Sequence, residues 1–226
     1  MAGTVASVRP ETPTGRSIMI DVPEWAGNIA GQHVDVRLTA PDGYQASRSY
    51  SLASSGPGHR LELAVDRLPD GEVSPYLVDD LQPGDMLELR GPLGGWFVWS
   101  PEQTQPVQLI AGGSGVVPFI AMLRSHETSG STAPMQLLYS VRTPEDRFFA
   151  TELDGLDAVT YRYTRRTPDG SPAGRITMDA LAAATLPAPS AVFVCGPTGF
   201  VETVATWLVQ LGHDQSAIKT ERFGGK

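Results

Sequence analysis

A chain of 226 residues with a formal net charge of −8 is long enough for one large domain or two ordinary ones. It is too acidic for sequence-independent binding to nucleic acid or an anionic membrane, which needs clustered positive charge. Its single cysteine, Cys195, excludes an internal disulfide and an iron–sulfur cluster ligated by this sequence alone. The four histidines, His33, His59, His126 and His213, show no metal-ligand spacing, so no metal site is expected.

No run of about 18 apolar residues is present to span a bilayer. The stretch from Met1 to Ser17 lacks the apolar core of a secretory signal, so the cytoplasm is the expected location. From Val5 to about Pro92, short alternating runs predict strands at residues 4–9, 16–22, 33–39, 47–53, 60–66 and 86–90. Closely spaced turn residues between them favour a small antiparallel barrel or sandwich.

The fourth run holds Arg48, Ser49, Tyr50 and Ser51. Strand alternation sends Arg48 and Tyr50 to one face and the two serines to the other. A cation beside an aromatic ring suits a planar ligand bearing phosphate: the guanidinium forks onto phosphate and the phenol packs against a ring system. Further on, Gly71, Glu72, Val73 and Ser74 open a short helical segment at 75–81, stopped by Pro83 and Gly84. Ser74 is the predicted N-cap and Pro75 the first helical residue. The free amides of such a start bind phosphate.

The run Gly91, Pro92, Leu93, Gly94, Gly95, followed by Ser100, Pro101 and Glu102, predicts a linker and divides the chain at 1–100 and 101–226. Beyond it, strands at 107–111, 135–141, 158–163 and 191–195 alternate with helices at 117–127, 145–153, 177–184 and 199–211. That order predicts a parallel sheet with helices on both faces, whose ligands sit outside the carboxyl ends of the strands. The first strand runs into Gly112, Gly113, Ser114 and Gly115, a turn that brings backbone close to a pyrophosphate. Pro118 stands where a strict dinucleotide fingerprint has its third glycine. A second such turn, Cys195, Gly196, Pro197, Thr198, Gly199, follows a later apolar strand, and the pair brackets room for an extended dinucleotide.

In this order and spacing, with the terminal Glu221, Arg222, Phe223 and Gly224, the motifs resemble the ferredoxin–NADP reductase superfamily over nearly the whole chain. The resemblance implies an N-terminal antiparallel six-stranded β-barrel that binds flavin, followed by a C-terminal parallel-sheet domain that binds NAD(P). It further implies that Arg48 binds the flavin diphosphate, Tyr50 lies on the isoalloxazine ring, and Ser51, beside Ser49, hydrogen-bonds near flavin N5. Ala64, Val65 and Asp66 would line the ribityl side. Gly71, Glu72, Val73 and Ser74 would form the diphosphate turn, a segment characteristic of members that bind FAD rather than FMN. Gly113, Ser114 and Gly115, with Pro118 opening the helix behind them, would take the pyrophosphate of the nicotinamide nucleotide.

Cys195, Gly196 and Pro197 would border the nicotinamide, with Cys195 a catalytic candidate there, although a small buried hydrophobe is the commoner role of a lone cysteine at a strand end. Ser51 and Glu221 are the candidates for proton management, and Phe223 for shielding the flavin or nicotinamide pocket. A hydroxyl–arginine pair at Thr164 and Arg165, with Arg142 and Arg175, would hold a 2′-phosphate, favouring NADPH over NADH.

The activity implied is oxidation of NADPH through bound FAD, with single electrons passed to a separate acceptor. That acceptor is expected to be a ferredoxin, or else an oxygenase or molybdoenzyme component, with the reductase a monomer. Two alternatives stay open: a reductase using flavin as a diffusible substrate, and a non-catalytic module of a larger redox complex.

Overall fold

The computed structural model describes residues 1–188 and 190–224. Its first half holds β1 (Ala2–Thr12), β2 (Gly15–Asp21), β3 (His33–Thr39), β4 (Gln45–Ser51), β5 (Arg60–Asp66) and β6 (Met86–Leu93). These form one antiparallel sheet in the order β4-β3-β6-β1-β2-β5. The two end strands meet where Leu52 bridges Leu63 and the Ala53 amide donates to the Glu62 carbonyl at 2.8 Å, which closes the sheet into a barrel. Period-two patterning fills the interior: Ile18 and Ile20, Val34 and Val36, Leu61, Leu63 and Val65, Leu87 and Leu89 all enter one core. Residues 62, 64 and 66 of β5 therefore face outward, toward the second half of the chain.

That half holds β7 (Val107–Gly112), α1 (Val117–Ser129), β8 (Met135–Val141), α2 (Ala150–Leu153), β9 (Val159–Tyr163), α3 (Met178–Ala184), β10 (Ala191–Pro197), α4 (Thr198–Gln210) and β11 (Ile218–Phe223). The five strands are parallel, in the order β11-β10-β7-β8-β9. Alternation again sorts the side chains. Leu109, Ala111, Leu137, Tyr139 and Phe193 pack with Phe119, Ile120 and Met122 of α1. Ile110, Leu138, Val192 and Val194 turn to the other face and meet Leu181 of α3 and Val201, Val204 and Leu208 of α4. The α1 core also takes in Ala30, Ala53, Ala64, Phe97 and Trp99, so barrel and sheet share one apolar interface. No helix among the described residues is long and apolar enough to cross a membrane.

Three local readings of the sequence need correction. Ser74 caps nothing: its hydroxyl accepts the Leu68 amide at 3.0 Å, and the segment behind it is a single wide turn, Tyr76–Asp80, without a side-chain cap. The helix expected at 145–153 is split into a 3₁₀ turn at Pro144–Asp146 and the four-residue α2. Between them the backbone breaks so that the Phe148 amide donates to the Tyr139 hydroxyl at 3.2 Å and the Phe149 amide to Glu11 at 2.9 Å. Phe149 is thereby held at φ 53°, in the left-handed region. Finally, β11 forms by parallel pairing to β10 where no strand was expected, since only Ile218 and Phe223 of its six residues are apolar and they give no alternating pattern.

Candidate functional site

All five parallel strands end at one cleft of about 610 Å³. Gly112 ends β7 and Gly113 and Ser114 follow it, Ser140 and Val141 end β8 and Arg142 follows it, Thr164 follows β9, Pro197 ends β10, and Arg222 and Phe223 end β11. The barrel supplies the facing wall: Arg48, Ser49, Tyr50 and Ser51 of β4, Ala64 and Asp66 of β5, and the turn Gly71, Glu72, Val73, Ser74. An open parallel sheet places ligands at just such strand ends.

Both faces of β4 reach the cleft, contrary to simple alternation. As the last strand of the sheet β4 is bonded along its length only to β3, so the cleft wraps over its free edge. Tyr50 packs against the barrel core, and burial pushes its hydroxyl up to about 12, against the opposing pull of Arg48. It is thus a neutral aromatic face at any ordinary pH. Ser49 donates to Asp35 at 2.6 Å. The Arg48 guanidinium donates to the Ser47 carbonyl at 2.7 Å and to the Glu72 carboxylate, which also accepts the Tyr44 hydroxyl. Those contacts hold Glu72 below the usual carboxylate range, the Tyr44 hydroxyl contributing most. Burial, partly offset by the Thr14 hydroxyl at 2.8 Å, raises the Asp66 carboxyl.

The two glycine turns interlock. Gly115 sits under β10, where a Cβ would lie 2.3 Å from the Cys195 carbonyl oxygen. Gly112 leaves space that Phe200 fills. Cys195 is itself buried beneath the cleft wall, and burial, with the neighbouring Glu221, pushes its thiol well above the ordinary range. Val65 lies in the barrel core and Pro118 in the buried first turn of α1. Neither lines the cleft, nor does Gly196.

Glu221 is paired in register with Cys195 and stands 3.7 Å from Nδ1 of His33 on the barrel. Burial pushes its carboxyl up to about 7, and its Oε2 is buried without a hydrogen-bond partner among the described residues. Phe223 lines the cleft and packs partly into the shared core.

At the far end, the Arg165 amide donates to the Arg142 carbonyl at 2.9 Å and the Gly174 amide to the Tyr163 carbonyl at 3.0 Å, which brings Arg142, Arg165 and Arg175 round the ends of β8 and β9. Among the described residues, none of these three makes an ion pair. Arg142 and Thr164 line the cleft; Arg165 and Arg175 are exposed beyond it. Arg166 is occupied by Glu145, whose carboxyl it draws down to about 2.

Several lining residues were not singled out in the sequence, among them Thr12, Thr14, Leu68, Phe148 and Phe200, whereas Arg222 entered only as part of the terminal motif. Phe200 alone had a readable cue, standing at the start of the helix that follows the second glycine turn.

The donor set fits a flavin dinucleotide: a guanidinium and a polar turn at one end, a half-buried phenol at the middle, and apolar Val73, Val117 and Phe148 between. A closed barrel meeting the carboxyl ends of a parallel sheet across such a cleft defines a two-nucleotide oxidoreductase. Comparison with known families agrees. Residues 16–98 match the oxidoreductase FAD-binding domain and residues 109–206 the oxidoreductase NAD-binding domain.

The chain is 31% identical over 237 residues to ferredoxin–NADP reductase B of Sorangium cellulosum, covering 97% of this chain and 96% of that one. It is 32% identical over 206 residues to the glycine betaine monooxygenase reductase subunit of Chromohalobacter salexigens, covering 86% of this chain but only 55% of the relative, so it spans about half of that protein. The FAD/NAD-binding domain of nitric oxide dioxygenase from Vibrio cholerae superposes with a TM-score of 0.88 at 27% identity, over 99% of this chain and 98% of that one. The chain belongs to the ferredoxin–NADP reductase family of NAD(P)H-dependent flavoprotein oxidoreductases.

Proposed function

We propose that this chain oxidises NADPH through FAD held in the cleft and delivers electrons singly to a separate protein, with a ferredoxin as the acceptor. In this reading residues 1–100 hold the flavin and residues 101–226 the nicotinamide nucleotide. Bound FAD supplies the redox chemistry, accepting a hydride and releasing electrons one at a time. The polypeptide supplies geometry. Arg48 and the Gly71–Ser74 turn hold the diphosphate, Tyr50 supports the ring, Ala64 and Asp66 border the ribityl chain, and Ser51 hydrogen-bonds the ring edge. Gly113 and Ser114 cradle the nucleotide pyrophosphate, and Phe223 closes the nicotinamide end. Glu221, half protonated near neutral pH, holds a proton at that end, where Cys195 serves as packing beneath the wall.

The observation that carries the NADPH preference is the placing of Arg142, Arg165 and Arg175 round the ends of β8 and β9 by backbone hydrogen bonds, without ion pairs among the described residues, with Arg142 and Thr164 lining the cleft. A 2′-phosphate is the ligand that such a cluster recognises. The test is the visible spectrum of the purified protein before and after anaerobic addition of NADPH or NADH. The expected result is a bound-flavin spectrum bleached much faster by NADPH; equal rates, or faster bleaching by NADH, would refute the preference.

One cysteine cannot furnish the thiolates of an iron–sulfur cluster, so the one-electron acceptor lies outside these 226 residues. The relative named as a monooxygenase reductase subunit supports a second acceptor, an oxygenase component. Cytochrome c reduction driven by NADPH separates the two, rising on addition of ferredoxin in the first case and not in the second.

Arg48 makes a direct test of flavin binding. Its contact with Glu72 is an exposed ion pair of little net worth and gives way to a diphosphate. Arg48→Ala removes a charge-assisted contact of about 1.5–3 kcal/mol. Flavin retention measured by ultrafiltration is expected to weaken about tenfold to a hundredfold, and an unchanged flavin content would show that the residue has another task.

A further inference from the structure

We propose that Arg124 and Glu62, which lie outside the cleft, are positioning residues that set the distance between its two walls. The proposal rests on the family activity, hydride transfer between nicotinamide and flavin held on those opposite walls.

The geometry begins with two elements lying side by side. On β5, residues 62, 64 and 66 share the outward face, since side chains repeat every second residue. Ala64 and Asp66 of that face line the cleft, while Glu62 stands one step outside it, only 6% exposed. On α1, Val117, Ala121 and Arg124 are spaced i, i+4, i+7 and so share one helical face. Val117 lines the cleft, the Ala121 carbonyl accepts the Ser55 hydroxyl of the barrel at 3.4 Å, and Arg124 lies two turns beyond Val117.

There Arg124 crosses to the barrel. One guanidinium nitrogen, Nη1, donates to the Glu62 carboxylate at 2.6 Å and to the Ala53 carbonyl at 3.0 Å. Nε and Nη2 grip Glu152 of α2 at 2.8 and 2.7 Å, and the guanidinium lies over the Phe149 ring at 5.3 Å. Burial works against the charge, but the hydrogen bonds to Glu152 and Glu62 outweigh it and keep the guanidinium ionised. A second barrel carboxylate, Glu11, accepts the Phe149 amide at 2.9 Å and is itself fixed by Arg9 and Ser17.

The tie therefore joins the rod carrying the nucleotide turn to the strand carrying the flavin wall, about 10 Å from the reacting end at 1.5 Å per helical residue. Hydride transfer depends steeply on this spacing: a displacement of about 1 Å costs on the order of a hundredfold.

The test compares Arg124→Met, Glu62→Gln and Glu152→Gln in the flavin-loaded protein, using whichever nicotinamide nucleotide reduces the wild type. Glu152 meets Arg124 wholly within the nucleotide-binding half, so its variant controls for charge loss without cutting the tie. The expected result for Arg124→Met is a kcat about a hundredfold lower, with KM and flavin content within about twofold and reduction by dithionite unaltered. Glu62→Gln, which keeps the shape of the side chain, falls in the same direction by about tenfold, and Glu152→Gln stays within about threefold of wild type. Proteolytic nicking in the 100–106 connection quickens in the first two variants only.

A wild-type kcat in both Arg124→Met and Glu62→Gln overturns the proposal, as does a loss of flavin that matches the loss of kcat. A wild-type protein that binds flavin but is bleached by neither nucleotide refutes the underlying activity instead; the nicking rates show whether the tie itself exists.

Discussion

Gly115→Ala is expected to abolish most nucleotide-driven reduction while leaving flavin on the barrel. The methyl group has nowhere to go. It would stand 2.3 Å from the Cys195 carbonyl oxygen, 2.6 Å from its carbon and 2.8 Å from the Gly196 nitrogen, all of them backbone atoms that no rotamer change can move. The turn ahead of α1 must lift off the end of β10, and the two sides of the proposed nucleotide site part with it: Gly113 and Ser114 move with the turn, Pro197 with the strand. Overpacking of this kind costs about 1–3 kcal/mol of stability, and a shift of about 1 Å at the reacting end costs on the order of a hundredfold in rate. The proposed flavin contacts lie on the other wall and stay intact. Stopped-flow bleaching of the variant should be at least about a hundredfold slower than wild type with an unchanged flavin spectrum; bleaching at the wild-type rate would mean that the two turns do not act together.

Gly115 also shows what a sequence makes legible. The need for glycine at a strand-to-helix turn is local, and so is the alternation that sorts Leu61, Leu63 and Val65 inward and Ile110 away from Leu109. Both sheets, the faces of most strands and the location of the cleft at the carboxyl ends of the parallel strands follow from such short-range patterns. What escapes is decided by partners far away in the chain. The predicted helix at 145–153 breaks because Phe148 and Phe149 give their amides to Tyr139 and Glu11, groups 9 and 138 residues distant. Ser74 has the residue type of an N-cap but spends its hydroxyl on Leu68. The strand Ile218–Phe223 is held by pairing to β10, while its own side chains are mostly polar and give no apolar rhythm. Arg124 and Glu62 are two ordinary charges in the sequence, separated by 62 positions, and only the closure of the barrel against α1 makes them a pair.

Burial sets the protonation of Glu221, and with it a pH dependence of stability. In the unfolded chain this carboxyl titrates near 4.5; in the folded protein burial raises it to about 7. Between those values the native state keeps the proton that the unfolded chain has released, so native protein binds more protons and loses stability as pH rises. The penalty is absent below about pH 4.5 and complete above about pH 7. It amounts to on the order of 3 kcal/mol, since each pH unit between the two values is worth about 1.4 kcal/mol. The titratable groups facing it are His33 of β3, at 3.7 Å, and the buried Cys195 thiol of β10.

Glu221→Gln carries the same shape without the charge and removes this component alone. Urea unfolding at intervals from pH 5 to pH 8 should therefore show wild type losing stability relative to the variant by up to about 3 kcal/mol, most steeply between pH 5 and 7. Parallel curves for the two proteins would show that the Glu221 carboxylate is solvated in the folded state. It would then ionise freely, and the proton proposed for the nicotinamide end of the cleft would have to be held elsewhere.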